Sequence, residues 1–177
     1  GETGEEVSHR VVSSLNDRLD ENGLFSMILE YPVMGGELYV DRLEKWLGGD
    51  GTGWGIAVLW YVHRELSEYV VSHIGPVESY LETFNNYLDS YKKHGITAIR
   101  FASVFIKKLP PGHPNWKVME RVAPWPREDV KDDIHVWLDC LTRYNDPTWR
   151  PAPDWKPKLS RYYKSAWRDW DDERGVM

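Results

Sequence analysis

The sequence predicts an all-α protein, an irregular multi-helix bundle around a central helix at about residues 55–74. Three observations predict it. In GWGIAVLWYVHRELSEYVVSHI, from Gly53 to Ile74, Ile56, Leu59, Trp60, His63, Leu66 and Val70 recur at the spacing of one helical face. Ala57, Val58, Tyr61, Val62 and Tyr69 widen that face, so the helix needs partners on more than one side. Most of the remaining chain repeats apolar residues at three and four, with glycine and proline clusters in between.

Taken in order, residues 5–20 predict a first helix, with Val7, Val11, Leu15 and Leu19 four apart. Glu5 and Glu6 lie in its first turn and Asn22-Gly23 follows as a stop. Leu24 to Tyr31 is a short apolar segment, helix or strand, ended by Pro32 and Gly35-Gly36. Residues 37–47 predict a helix with Leu38, Tyr39, Leu43, Trp46 and Leu47 inward. The glycine-rich GGDGTGWG at 48–55 lacks the G-K-[ST] and G-x-G-x-x-G patterns of phosphate-binding loops, so it predicts a corner between helices.

Gly75-Pro76 ends the central helix. Val77 to Tyr91 is the cleanest amphipathic stretch, closed by Lys92, Lys93, His94 and Gly95, where helix dipole and cap agree. Ile96 to Leu109 predicts a further helix. A strand over Ile99 to Ile106 is the alternative, because β-branched and aromatic residues cluster there. Pro110 to Pro114 is a rigid connector. A short helix at 115–122 and a longer one at 128–144 follow it. Four prolines between Asn145 and Pro157 predict a proline/tryptophan-rich C-terminal strap, and residues 158–170 predict a final helix. One helical domain over 1–177 is expected, divisible into a main bundle at 1–109 and a C-terminal helical portion at 115–177.

Composition bounds the function. With 41% hydrophobic and 28% charged residues the chain is of ordinary globular composition. A net charge of -6 opposes general attraction to nucleic acid or anionic membranes. The lone Cys140 excludes a disulfide framework and a multi-cysteine metal cluster. The acidic opening GETGEEVSHR carries no secretory pattern, and Ile56 to Val62 is too short to span a bilayer. The expectation is an intracellular protein, cytoplasmic or nuclear, without membrane, metal or cofactor.

The 10 Trp and 10 Tyr against 4 Phe stand out. Such side chains fill small cores or dominate interaction surfaces. Basic and aromatic residues interleave near the C-terminus: Trp149, Arg150, Trp155, Lys156, Arg161, Tyr163, Lys164, Trp167 and Arg168. They are the expected interaction surface of a non-catalytic helical protein–protein interaction or scaffold domain, binding a protein partner or forming a homo-oligomer.

Two alternatives belong to other classes. A small helical enzyme or small-molecule binder would use a pocket of Trp60, His63, Glu65, Tyr87 and Phe105. An RNA or single-strand DNA binder would use the C-terminal aromatic–basic run. Catalytic motifs are weak. H-E-x-x-H and G-x-S-x-G are absent, and His63 on an apolar face reads first as a core residue. His135 beside Asp132 and Asp139 reads as a solvated ion pair, and Cys140 after Asp139 as structural. The carboxylates Asp129 with Asp133, and Asp169 with Asp172 and Glu173, lack a second helix with matching ligands; Glu65 with Glu68 on the central helix is the interior-edge alternative.

Overall fold

A computed structural model describes residues 3–48, 51–122 and 131–150. The chain divides into two compact units, Gly1–Pro147 and Thr148–Met177, and every element below lies in the first. In chain order these are α1 (Glu6–Ser13), α2 (Leu15–Arg18), β1 (Leu24–Met34), α3 (Tyr39–Leu47), β2 (Trp54–Glu65), α4 (Leu66–His73), α5 (Tyr80–Lys93), β3 (Ile96–Lys108), β4 (Trp116–Arg121) and α6 (Lys131–Asn145). The strands form one mixed sheet, ordered β1-β3-β2-β4. β3 runs antiparallel to both β1 and β2, and β4 parallel to β2.

This α/β architecture corrects the expected all-α bundle. The expected central helix at 55–74 is strand β2 followed by the short helix α4. The physical reason is burial on both faces: Trp54 to Leu59 are all buried. A strand covered on both sides shows a continuous apolar run without alternation, and a helical spacing can be picked out of any such run. The helices expected over 96–109 and 115–122 are likewise strands, β3 and β4. For β3, the β-branched and aromatic residues from Ile99 to Ile106 pair along both edges, the strand alternative noted above. The expected helices at 5–20, 37–47, 77–91 and 128–144 are present as α1 with α2, α3, α5 and α6. Of the expected strap, Asn145 ends α6 and residues 146–150 form no helix or strand; the rest of it and the final helix lie outside the described residues.

Two layers of helix cover the sheet. On one face, α1 and α3 pack on alternate residues of the strands: Met27, Leu29 and Tyr31 of β1, Ile56 and Val58 of β2, and Ala102, Val104 and Ile106 of β3. Leu43 of α3 and Val12 of α1 are fully buried there. The other face carries two separate patches. α6 covers one end through Leu138, Ile134, Trp137 and Leu141, against Phe105, Ala57 and Trp116. α4 and α5 cover the other through Leu66, Tyr69, Leu88 and Tyr91, against Ile96, Ile99 and Met34. Gly55 admits the Trp116 ring onto β2: a Cβ at that position would lie 2.3 Å from ring atoms.

Candidate functional site

The sheet register brings one polar row onto the α3 face. Tyr31 of β1 lies opposite Arg100 of β3, and Arg100 lies opposite His63 of β2. A bulge between Trp60 and Val62 shifts the β2–β3 register. In a regular strand, residues three apart point to opposite faces. The extra residue puts Trp60 and His63 on the same face, with ring centroids 6.2 Å apart.

Arg100 is the centre of this row. Its Nε donates to His63 Nδ1 at 3.1 Å, and its guanidinium lies 4.0 Å from the Trp60 ring centroid. Because Nδ1 accepts, the imidazole proton sits on Nε2, which faces Glu65 Oε1 at 3.1 Å. The Arg121 guanidinium stands 5.6 Å from the same ring. Trp60 thus has two cations within reach, an arrangement its electron-rich face favours.

Beside Arg100 opens a cavity of about 330 Å³ between β1, β3 and the N-terminal end of α3. Tyr31, Tyr39, Arg42, Arg100, Glu37 and Asp41 supply its polar lining, with Val33, Met34, Leu38 and Met119 as apolar wall. Tyr31 and Tyr39 stack nearly parallel with centroids 4.1 Å apart. Both hydroxyls are buried and neither meets full hydrogen-bond geometry, although Arg100 approaches that of Tyr31 and Ser8 that of Tyr39. Burial pushes both phenols above their usual acidity range; Arg100 beside Tyr31 works the other way, as does Ser8 beside Tyr39.

The charges lining the cavity are unequally partnered. Arg42 is buried and saturated: its Nε donates to Glu5 Oε1 at 3.1 Å, one Nη lies 3.0 Å from the same oxygen, and the Pro32 carbonyl accepts at 2.7 Å. Burial raises the Glu5 pKa despite that guanidinium. Glu37 pairs with Lys45, and Asp41 pairs with Lys117 at 2.8 Å. Arg100 alone of the lining charges forms no carboxylate pair among the described residues.

The residues singled out from sequence separate as follows. Trp60, His63 and Glu65 come together, joined by Arg100. Tyr87 is exposed on α5, and Phe105 packs under α6 on the opposite face. Trp149 and Arg150 belong to the second unit, where Arg150 donates to the Trp149 carbonyl at 2.8 Å. Trp155, Lys156, Arg161, Tyr163, Lys164, Trp167 and Arg168 lie outside the described residues. His135 lines a second cavity of about 580 Å³ with Lys107 and Asp139, which form an ion pair with each other. Cys140 is exposed.

Sequence reasoning passed over Tyr31, Tyr39, Arg42 and Arg100. The one available signal was Arg100 itself, the single charged residue between Ile96 and Ile106 of β3. Among the described residues no cluster of His, Cys, Asp or Glu is arranged to hold a metal, and no helix is long and apolar enough to cross a membrane. No protein-family model and no curated protein matches the chain.

Proposed function

We propose that the chain is a non-catalytic protein-interaction module that self-associates through α5. The observation carrying this reading is that α5, fourteen residues long, buries none of them. Its C-terminal half touches the sheet through Leu88 and Tyr91. Its exposed apolar residues are Tyr80, Leu81 (74% exposed) and, at mid-helix, Tyr87 (51% exposed), with Val77 just before it. A contiguous apolar patch of this kind is a usual mark of a protein-binding surface, and an amphipathic helix is a common way to present one.

Charge complementarity favours a second copy as the occupant. Glu78 and Glu82 mark one end of α5, Lys92 and Lys93 the other. Two copies packed antiparallel set acidic ends against basic ends while the apolar stripes meet, the isologous geometry of a two-fold dimer. The aromatic–basic run from Trp149 to Arg168 belongs to the same proposal on sequence grounds alone.

Sedimentation across a concentration series tests it. The expected outcome is a monomer–dimer equilibrium at about micromolar concentrations, lost in Leu81→Glu with the circular dichroism unchanged. Glu82→Lys should weaken association, and adding Lys92→Glu and Lys93→Glu should restore it. A strict monomer up to about 100 µM would overturn the reading.

A further inference from the structure

We infer that the cavity between β1, β3 and α3 is a binding site for a small monocarboxylate with a compact apolar body. The carboxylate would be held by Arg100 and the Tyr31 hydroxyl. Three observations lead there, all independent of α5.

The first is an unspent donor set. Arg100 uses Nε on His63, its guanidinium approaches the Tyr31 hydroxyl, and it meets no carboxylate among the described residues; a guanidinium edge matches a carboxylate with two parallel bonds. Tyr31 is 2% exposed and lines the cavity; Arg100, a donor, approaches its hydroxyl, and no acceptor for the hydroxyl's own proton is in reach among the described residues. Buried polar groups in folded proteins are nearly always fully partnered, so a buried hydroxyl with a donor beside it and no acceptor, on a residue that lines a cavity, marks the place of a missing acceptor.

The second is preorganisation. Arg100 is clamped between the Trp60 ring and His63, and Glu65 braces the far nitrogen of His63. The clamp fixes the guanidinium before any ligand arrives, which lowers the ordering cost of binding. The His63 row is a positioning device; Arg100 and Tyr31 touch the ligand.

The third decides which anion. Glu37 and Asp41 also line the cavity, and their positive partners Lys45 and Lys117 lie outside its lining. A phosphate dianion would meet two carboxylates for the single unpaired guanidinium. A monoanion balances that one charge. Val33, Met34, Leu38 and Met119 then receive its apolar part.

Calorimetric titration of the full chain tests the assignment, with hexanoate and benzoate as probes, benzamide as the neutral isostere and inorganic phosphate as the competing anion. The expected result is one-site carboxylate binding, at least about tenfold tighter than benzamide, as loss of a charged hydrogen bond implies, and untouched by phosphate. Arg100→Gln should remove the preference for benzoate while leaving benzamide binding unchanged. Tyr31→Phe should weaken benzoate several-fold. Should Arg100→Gln fail to fold, Arg100→Lys keeps the charge but loses the planar fork, and a several-fold loss is expected there too. Equal binding of benzoate and benzamide, displacement by phosphate, full affinity in a folded Arg100 variant, or no binding at millimolar probe would each overturn it.

Discussion

The two faces of the sheet carry helices of opposite fortune. α3 has nine residues and buries five: Tyr39, Val40, Arg42, Leu43 and Leu47. α5 has fourteen, a longer apolar stripe, and buries none. The difference lies in what each helix meets. α3 connects β1 to β2 across β3, so it lies along a row of large side chains, with the Tyr31–Tyr39 stack at its start and Trp46 edge-on to Tyr39 at 5.9 Å. α5 meets the sheet only near its end, where it runs into β3 through Gly95, whose φ of 71° makes the turn. Amphipathicity therefore tells that a helix has an apolar side, and connectivity tells whether the protein's own sheet covers it.

The largest effect should come from opening the closed face at the buried Arg42–Glu5 pair. Arg42→Met removes the partner of Glu5 and leaves a desolvated carboxylate, with the Pro32 carbonyl losing its donor. A loss of about 3–5 kcal/mol is expected, measured by urea unfolding. Replacing both residues, Arg42→Met with Glu5→Leu, should recover much of it, because the cost lies in the unpaired charge.

Truncating one leucine on each face sharpens the comparison directly. Leu43 is fully buried beneath α3, and Leu43→Ala should cost about 2–5 kcal/mol. Leu88 of α5 is only partly buried, and Leu88→Ala should cost well under half of that. Equal losses would mean that the α5 side is as tightly built as the α3 side, and the argument for a docking surface would lose its basis.

The same contrast explains what the sequence disclosed. Helices with solvent on one side kept their periodicity, so α3, α5 and α6 were legible from Leu43, Leu88 and Leu138 at helical spacing; for α1 the helix was legible but its expected face was half wrong, since Val7 and Val11 are exposed while Val12 and Leu15 are buried. Strands buried on both faces lost theirs, and Trp54 to Leu59 looked like a helix seen from within. Trp60 and His63 were grouped for the wrong reason: they share a face through a bulge, where a helical turn had been expected. The cavity was beyond reach, because Tyr31, Tyr39 and Arg100 stand on three elements that only the sheet register brings together.

The smallest effect concerns the rim of the closed face, where Lys117 of β4 reaches Asp41 at 2.8 Å and Glu44 at 2.6 Å on α3. These groups are partly exposed, and Lys117→Met should cost no more than about 1 kcal/mol at neutral pH. Its signature is in the pH profile. Lys117 holds both carboxyls below their usual range, so their contribution is fully present above about pH 4.5 and is lost as pH falls through the lowered values. Glu5 has the opposite sign. Its raised value means that the folded state takes up a proton first, so that group adds stability as pH falls towards about 4.5. The windows do not overlap, so chemical denaturation from pH 7 to pH 3 separates them. Lys117→Met should flatten only the acid limb, and Glu5→Gln only the limb above it. If Lys117→Met also changed the upper limb, the rim and the buried pair would act as one network, and the closed face would owe part of its stability to charges at its edge as well as to its aromatic core.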